Sequence, residues 1–188
     1  MSNTYITSTP RTQSLDIGNL TEKPIAALGL IAPANLQGLG PTLSHALLAA
    51  FTKVQAPVRV IPAYETVSVI NEQGLARDYA ELLSGFGPGG ILQRQQLGPI
   101  GSALGSRYVL LPGVAEFNQL IMDKYEVMGI KLVRTRVTTL RLWLQLWDVQ
   151  TGRILWESAG EVTAVTALLN AKRTVPLEEL AQTLVVAA

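Results

Sequence analysis

The chain has 188 residues, with 15 Lys and Arg against 14 Asp and Glu, one histidine and no cysteine. This near-neutral balance argues against nucleic-acid binding by bulk electrostatics, and the absence of cysteine removes disulfides, thiolate zinc sites and cysteine nucleophiles from these residues. Apolar residues make up 48% and charged residues only 15%, against about 25% charged in an average soluble domain, so some surface is expected to be hidden by oligomerisation or near a membrane.

The first stretch, MSNTYITSTPRTQS, lacks the basic start and apolar run of a signal peptide. Residues 1–22 are expected to be a flexible polar tether, and residues 23–188 a single α/β domain. Such a tether suits either a mature chain whose export signal has been removed or an ordinary disordered terminus. No tract approaches the roughly 18–20 uncharged apolar residues of a membrane-spanning helix. Residues 24–33 are apolar up to a proline, which suits a strand buried on both faces. Gly38, Gly40 and Pro41 make a turn. Residues 41–54 follow as a helix with Leu43, Leu47, Ala50 and Phe51 toward the core. Residues 57–62 read as a short strand between prolines.

Residues 66–84 carry Val67, Ile70, Leu75, Tyr79, Leu82 and Leu83 at roughly helical spacing, with a weak point at Gly74. The segment GFGPGG at 85–90 is expected to be a mobile loop, and 91–104 a helix punctuated by Gly98 and Pro99. Residues 107–117 form a strand, bent near Pro112 and Gly113. Residues 134–149 hold the clearest period-two pattern: Leu140, Leu142, Leu144 and Leu146 alternate with Arg141, Trp143, Gln145 and Trp147. Asp148 to Gly152 supplies turn chemistry, residues 153–165 return antiparallel, and a last helix begins near Pro176 with Leu177, Leu180 and Leu184 on one side. Early strand–helix–strand connections favour some parallel pairing. The expected fold class is α/β: a single mixed β-sheet flanked by helices, with a C-terminal antiparallel hairpin and helix.

Candidate chemistry is sparse. His45 has Pro41, Thr42, Leu48 and Ala49 one helical turn away, none of them a base-orienting or metal-binding partner. No nucleophile elbow G-x-S-x-G accompanies Ser44 or any other serine, and with one histidine a transition-metal site has too few ligands. Gly38 and Gly40 lack the lysine and hydroxyl of a phosphate-binding loop and the third glycine of a dinucleotide fingerprint. Glu157 and Glu161, four apart on a strand, stand about 13 Å apart, too far for a retaining-glycosidase pair; Glu178 and Glu179 complement the dipole of the last helix. No catalytic residue, cofactor or metal is expected. The face of Arg141, Trp143, Gln145 and Trp147 has the residue types of an interaction hot spot, and suits equally a face buried under helices. Arg134 and Arg136 share the opposite face of the same strand and suit a solvated edge or an anionic partner.

The block L104-GSRYVLLPGVAEF-117, followed after a variable stretch by L140-RLWLQLWDVQTGRILWESAGE-161, resembles the periplasmic lipoprotein domains of the curli secretion protein CsgG, the peptidoglycan-synthase activator LpoB, the exopolysaccharide lipoprotein PelC and the TolB N-terminal domain. Leu104-Gly105, Tyr108-Val109-Leu110, Gly113-Val114 and Leu146-Trp147-Asp148-Val149 through Thr151-Gly152-Arg153-Ile154-Leu155-Trp156 carry the likeness. It extends loosely over residues 24–188 and is mainly a fold signature, separable from activity. The resemblance implies a lipid-anchored protein of a Gram-negative envelope, periplasmic and held at the outer membrane, working as a ring or as a partner-binding module. Curli-type pores insert two long hairpins into this domain. Here residues 117–137 are irregular and charged for a membrane strand, and a second insertion has no room, so 118–133 is expected to be a hairpin or loop that contacts a neighbour or the membrane surface, with Tyr125, Met128 and Ile130 as contact residues. The expected function is a non-enzymatic oligomeric component of assembly or secretion, with homo-oligomeric and other envelope-protein partners and no nucleic acid. The alternative is a monomeric regulator that binds and activates a cell-wall enzyme.

Overall fold

A computed structural model describes residues 2–12, 23–53, 58–125 and 131–167. Six strands make one mixed sheet: β1 Ser2–Thr12, β2 Ile25–Ala27, β3 Val60–Ile61, β4 Tyr108–Tyr125, β5 Lys131–Asp148 and β6 Arg153–Ala167. Their order across the sheet is β1-β6-β5-β4-β2-β3. β2 is parallel to β3 and β4, and the β4–β5, β5–β6 and β6–β1 pairs are antiparallel. The helices are α1 Gly40–Lys53, α2 Ala63–Glu72, α3 Ala76–Gly89 and α4 Arg94–Ala103, with a 3-10 turn at Ala34–Leu39. The expected α/β class and mixed sheet are therefore present. The expected helix from Pro176 lies outside the described residues.

The alternation of β5 builds two cores. Leu140, Leu142, Leu144 and Leu146 face α1 and the 3-10 turn, where they pack with Leu36, Leu43, Leu47, Val114 and Val162. On the opposite face, Trp143 and Trp147 join Val109 and Leu111 under α2, α3 and α4, against Ile70, Leu82, Phe86, Leu97 and Ile100. Each fully buried aliphatic side chain contributes about 1.5–3 kcal/mol, so the central strand is held from both sides.

Four expectations differ from the structure, and one is met. Residues 2–12, read as tether, form edge strand β1: their Thr and Ile content suits a strand, and β6 supplies an open ladder for it. The run 24–33 pairs only at Ile25–Ala27, with one further bridge from Ile31 to Gly113. The helical stretch over 66–84 is interrupted at the expected weak point: α2 ends at Glu72, α3 begins at Ala76, and Gly74 between them adopts φ 70. The glycine-rich 85–90 is no loop; α3 continues through Gly89 because Phe86 is buried beneath it and stacks on Trp143 at 5.4 Å between ring centroids. Strand β4 does not stop at residue 117. It runs on to Tyr125, and its irregularity falls at Ala115, between Val114 and Glu116, rather than at Pro112-Gly113.

Gly113 has another purpose. A Cβ there would overlap Cζ2 and Cε2 of Trp143, so the indole occupies the space a side chain would need. Gly113→Ala should displace the ring from Phe86 and destabilise the fold by about 1–3 kcal/mol, read from urea unfolding together with loss of near-UV circular dichroism. A second buried contact joins α3 to the segment after β2: the backbone N–H of Gly29 donates to Tyr79 Oη at 2.6 Å. Burial pushes the Tyr79 phenol above its ordinary value of 10.0, against the lowering effect of this hydrogen bond. The raised value makes the folded state favour the neutral phenol. Its stabilisation is thus complete below pH 10 and is lost as pH rises from the unfolded toward the folded value. Tyr79→Phe should lower stability by about 1 kcal/mol at pH 7 and abolish this alkaline contribution, as measured by denaturant melts between pH 8 and 11.

Candidate functional site

The helices cover only part of the sheet. On the Trp143 face, residues align in rows across four strands: Gly113–Trp143–Ala159–Thr9, then Glu116–Arg141–Glu161–Thr7, then Asn118–Thr139–Thr163–Tyr5. A further row brings Leu120, Val137 and Val165 together, followed by Met122 opposite Thr135. Helical cover ends at Trp143. Beyond it lies an open cleft of about 340 Å³ lined by Thr7, Thr9, Arg141, Trp143, Ala159 and Glu161, among others. A neighbouring hollow of about 270 Å³ adds Arg11, Gln145 and Glu157.

The boundary row is ionic. Arg141 Nη1 donates to Glu116 Oε2 at 2.7 Å and its Nε to Glu161 Oε2 at 2.5 Å, so one guanidinium ties three strands. The hydrogen bond to Glu161, followed by the charges of Glu116 and Glu161, holds the guanidinium above its ordinary pKa. Thr139 and Thr163 hydroxyls meet at 3.2 Å, and Thr163 donates to Glu161 Oε1 at 3.4 Å. The Arg141 side chain is 51% exposed, so solvent screens these pairs strongly.

Past this row the strands extend as an arm in which β4 and β5 remain flanked by β6 and β1. Its Trp143 face has no helical cover, whereas on the other face Leu140, Val162 and Ala164 still pack with Leu36, Leu43 and Ala46. Leu120 is 54% exposed, Ile121 51% and Met122 43%. Leu120 and Met122 share the Trp143 face; Ile121 stands on the other, level with Arg136. Tyr5, 62% exposed, lies on the same face as Leu120, one row nearer the body. The arm thus presents one largely apolar face.

The predicted contact residues scatter over this frame. Arg141 is at the boundary, and Trp143 is half-buried at the cleft. Trp147 is 3% exposed and belongs to the core under the helices, which removes it from any open surface; its Nε1–H donates to Gln145 Oε1 at 3.2 Å. Arg136 is half-buried on the opposite face, as parity required. Arg134 stands opposite Asp123, and Tyr125 opposite Lys131, near the hairpin end. Met128 and Ile130 lie outside the described residues. His45 is exposed on α1, while Ser44 lines a small apolar cleft with Leu47, Phe51 and Pro62. Among the described residues no group of three or more His, Asp or Glu is placed to hold a metal, and no helix is long and apolar enough to cross a membrane. Sequence reading overlooked Glu116, Leu120, Met122 and Tyr5. The alternation of Leu120 with Met122, and the β-branched run around Ile6, were the available signals.

No protein-family model and no curated protein matches the chain. Solved structures similar to it include a PelC dodecamer from Paraburkholderia phytofirmans, at 15% identity, covering 100% of this chain and 94% of that one with a TM-score of 0.42. Lipoprotein GNA1162 from Neisseria meningitidis is 18% identical over 88% of this chain and 96% of its own, with a TM-score of 0.48. The LpoB C-terminal domain from Salmonella enterica is 16% identical over 77% and 90%, with a TM-score of 0.38. PelC and LpoB are also among the proteins that the motifs of residues 104–161 resemble.

Arg141→Gln should lower the melting temperature by a few degrees at low salt. The gap from the unsubstituted chain should close as ionic strength rises, because exposed pairs are screened. Differential scanning calorimetry at two salt concentrations checks this.

Proposed function

We propose that the chain is a non-enzymatic cell-envelope lipoprotein domain that works as an oligomeric component of assembly or secretion, of an exopolysaccharide, a fibre or a protein. In this reading a lipid anchor carried outside the chain holds it to the periplasmic side of the outer membrane of a Gram-negative bacterium. The observation that carries the reading is the uncovered arm. A body closed on both faces of its sheet is continued by paired strands on which Leu120, Ile121 and Met122 are exposed. Contiguous apolar surface of this kind, beside a polar boundary, marks a contact surface. The motif resemblance of residues 104–161 supports the same class of protein.

The mechanism is geometric. Burial of the arm's apolar face supplies association energy, and the row of Glu116, Arg141 and Glu161 sets register at its rim. Arg136, on the other face of β5 level with Ile121, offers a separate contact to a partner's carboxylates or anionic lipid.

Light scattering of the purified chain should give a mass several times 20.2 kDa. Leu120→Asp combined with Met122→Asp should reduce it toward the monomer at an unchanged melting temperature, since both side chains are solvent-exposed at the start. A monomeric mass for the unsubstituted chain at micromolar concentration would overturn the oligomeric reading in favour of a monomeric regulator that activates a cell-wall enzyme.

A further inference from the structure

Strand β1 is attached to the molecule in an unusual way. It makes an eleven-pair ladder with β6, from Ser2 opposite Thr166 to Thr12 opposite Trp156. Yet Tyr5 is 62% exposed and Ile6 41%, and Thr7, Thr9, Pro10 and Arg11 are exposed as well. None of these side chains enters a core. The main chain holds β1, helped by the ion pair of Arg11 with Glu157 at 3.9 Å. Nothing in that ladder depends on which copy of the chain supplies the strand.

The connection also permits another source. Residue 12 ends beside β6 at one edge of the sheet, and β2 begins at Ile25 on the far side of β5 and β4. Four strand spacings of about 4.8 Å make a crossing of about 19 Å. The twelve residues 13–24 can reach about 40 Å when extended. The same length therefore serves a strand laid on its own sheet or on that of an adjacent copy.

We infer that β1 is an exchangeable strand and that the β6 edge is its acceptor on a second copy of this chain. The inference rests on the oligomeric reading and names the joint that makes it. Exchange of an identical element creates an interface without new contacts having to evolve, and main-chain pairing at a sheet edge is a general mode of strand recognition. Pro10, which has no N–H to offer, suits β1 to an outer edge and discourages addition of a further strand.

The chain's lack of cysteine makes the test clean. Thr9 and Ala159 are register partners and both are exposed. Affinity-tagged Thr9→Cys and untagged Ala159→Cys are co-refolded, then linked by oxidation or by a short bis-maleimide. The expected result is a tagged–untagged covalent dimer on a non-reducing gel, with its link between positions 9 and 159 identified by mass spectrometry. The double variant Thr9→Cys/Ala159→Cys should give a ladder of multiples. Intrachain links alone in the double variant, with no mixed dimer, would overturn the exchange; so would failure to link at all. Light scattering on the same samples separates the two ideas. A multimeric mass with only intrachain links defeats the exchange and leaves the oligomeric reading standing, whereas a monomeric mass with only intrachain links defeats both.

Discussion

The central strand β5 must satisfy two different environments on each of its faces, and the rest of the molecule follows from that demand. It pairs with β4 along one side and, from Thr135 to Asp148, with β6 along the other, so over that length its backbone groups are committed on both sides. Its body half carries large apolar side chains at both parities: leucines toward α1, tryptophans toward α2, α3 and α4. A strand of that composition is stable only with a layer on each side of the sheet. The helices before β4 supply those layers. Trp143 marks where the second layer ends, with its ring over Gly113 and stacked on Phe86, an aromatic contact worth about 0.5–1.5 kcal/mol beyond area burial.

Beyond Trp143 the same three strands continue under a different rule. The ionic row of Glu116, Arg141 and Glu161 keeps the sheet in register where the helical layer on the Trp143 face has ended, because cross-strand charge pairs and the Thr139–Thr163 contact bridge what packing on that face no longer bridges. The arm past it is stiff by hydrogen bonding and apolar by side chain. A rigid, pre-formed surface loses less conformational entropy on association than a disordered segment would. Body and arm thus differ along one set of strands: the first half is packed on both faces, and the second leaves its Trp143 face open.

Much of this was legible beforehand where side-chain periodicity is strong. The leucine alternation from 140 to 146 located a strand and its buried face, and Asp148 to Gly152 announced the turn: Asp148 Oδ1 accepts from the N–H groups of Gln150 and Thr151 at 2.7 and 3.2 Å. Local chemistry misled where a distant partner outweighed it. Glycines at 85, 87 and 89 argue for a loop, but Phe86 finds Trp143, far along the chain, and the helix persists. Residues 2–12 lack the apolar pattern of a buried strand because they form an edge strand on which Tyr5, Ile6, Thr7, Thr9, Pro10 and Arg11 are exposed.

The amino-acid sequence by itself determined the α/β class, the two-sided apolar character of β5 and the scarcity of chemically reactive groups, since periodicity and residue type act locally. Only the tertiary structure decided that Trp147 is core while Arg141 stands at a rim, that β1 closes the β6 edge, and that the apolar face of the arm is left uncovered. Those outcomes depend on how far a helical layer reaches over a sheet, and that reach is set by contacts between residues distant along the chain, which no local pattern encodes.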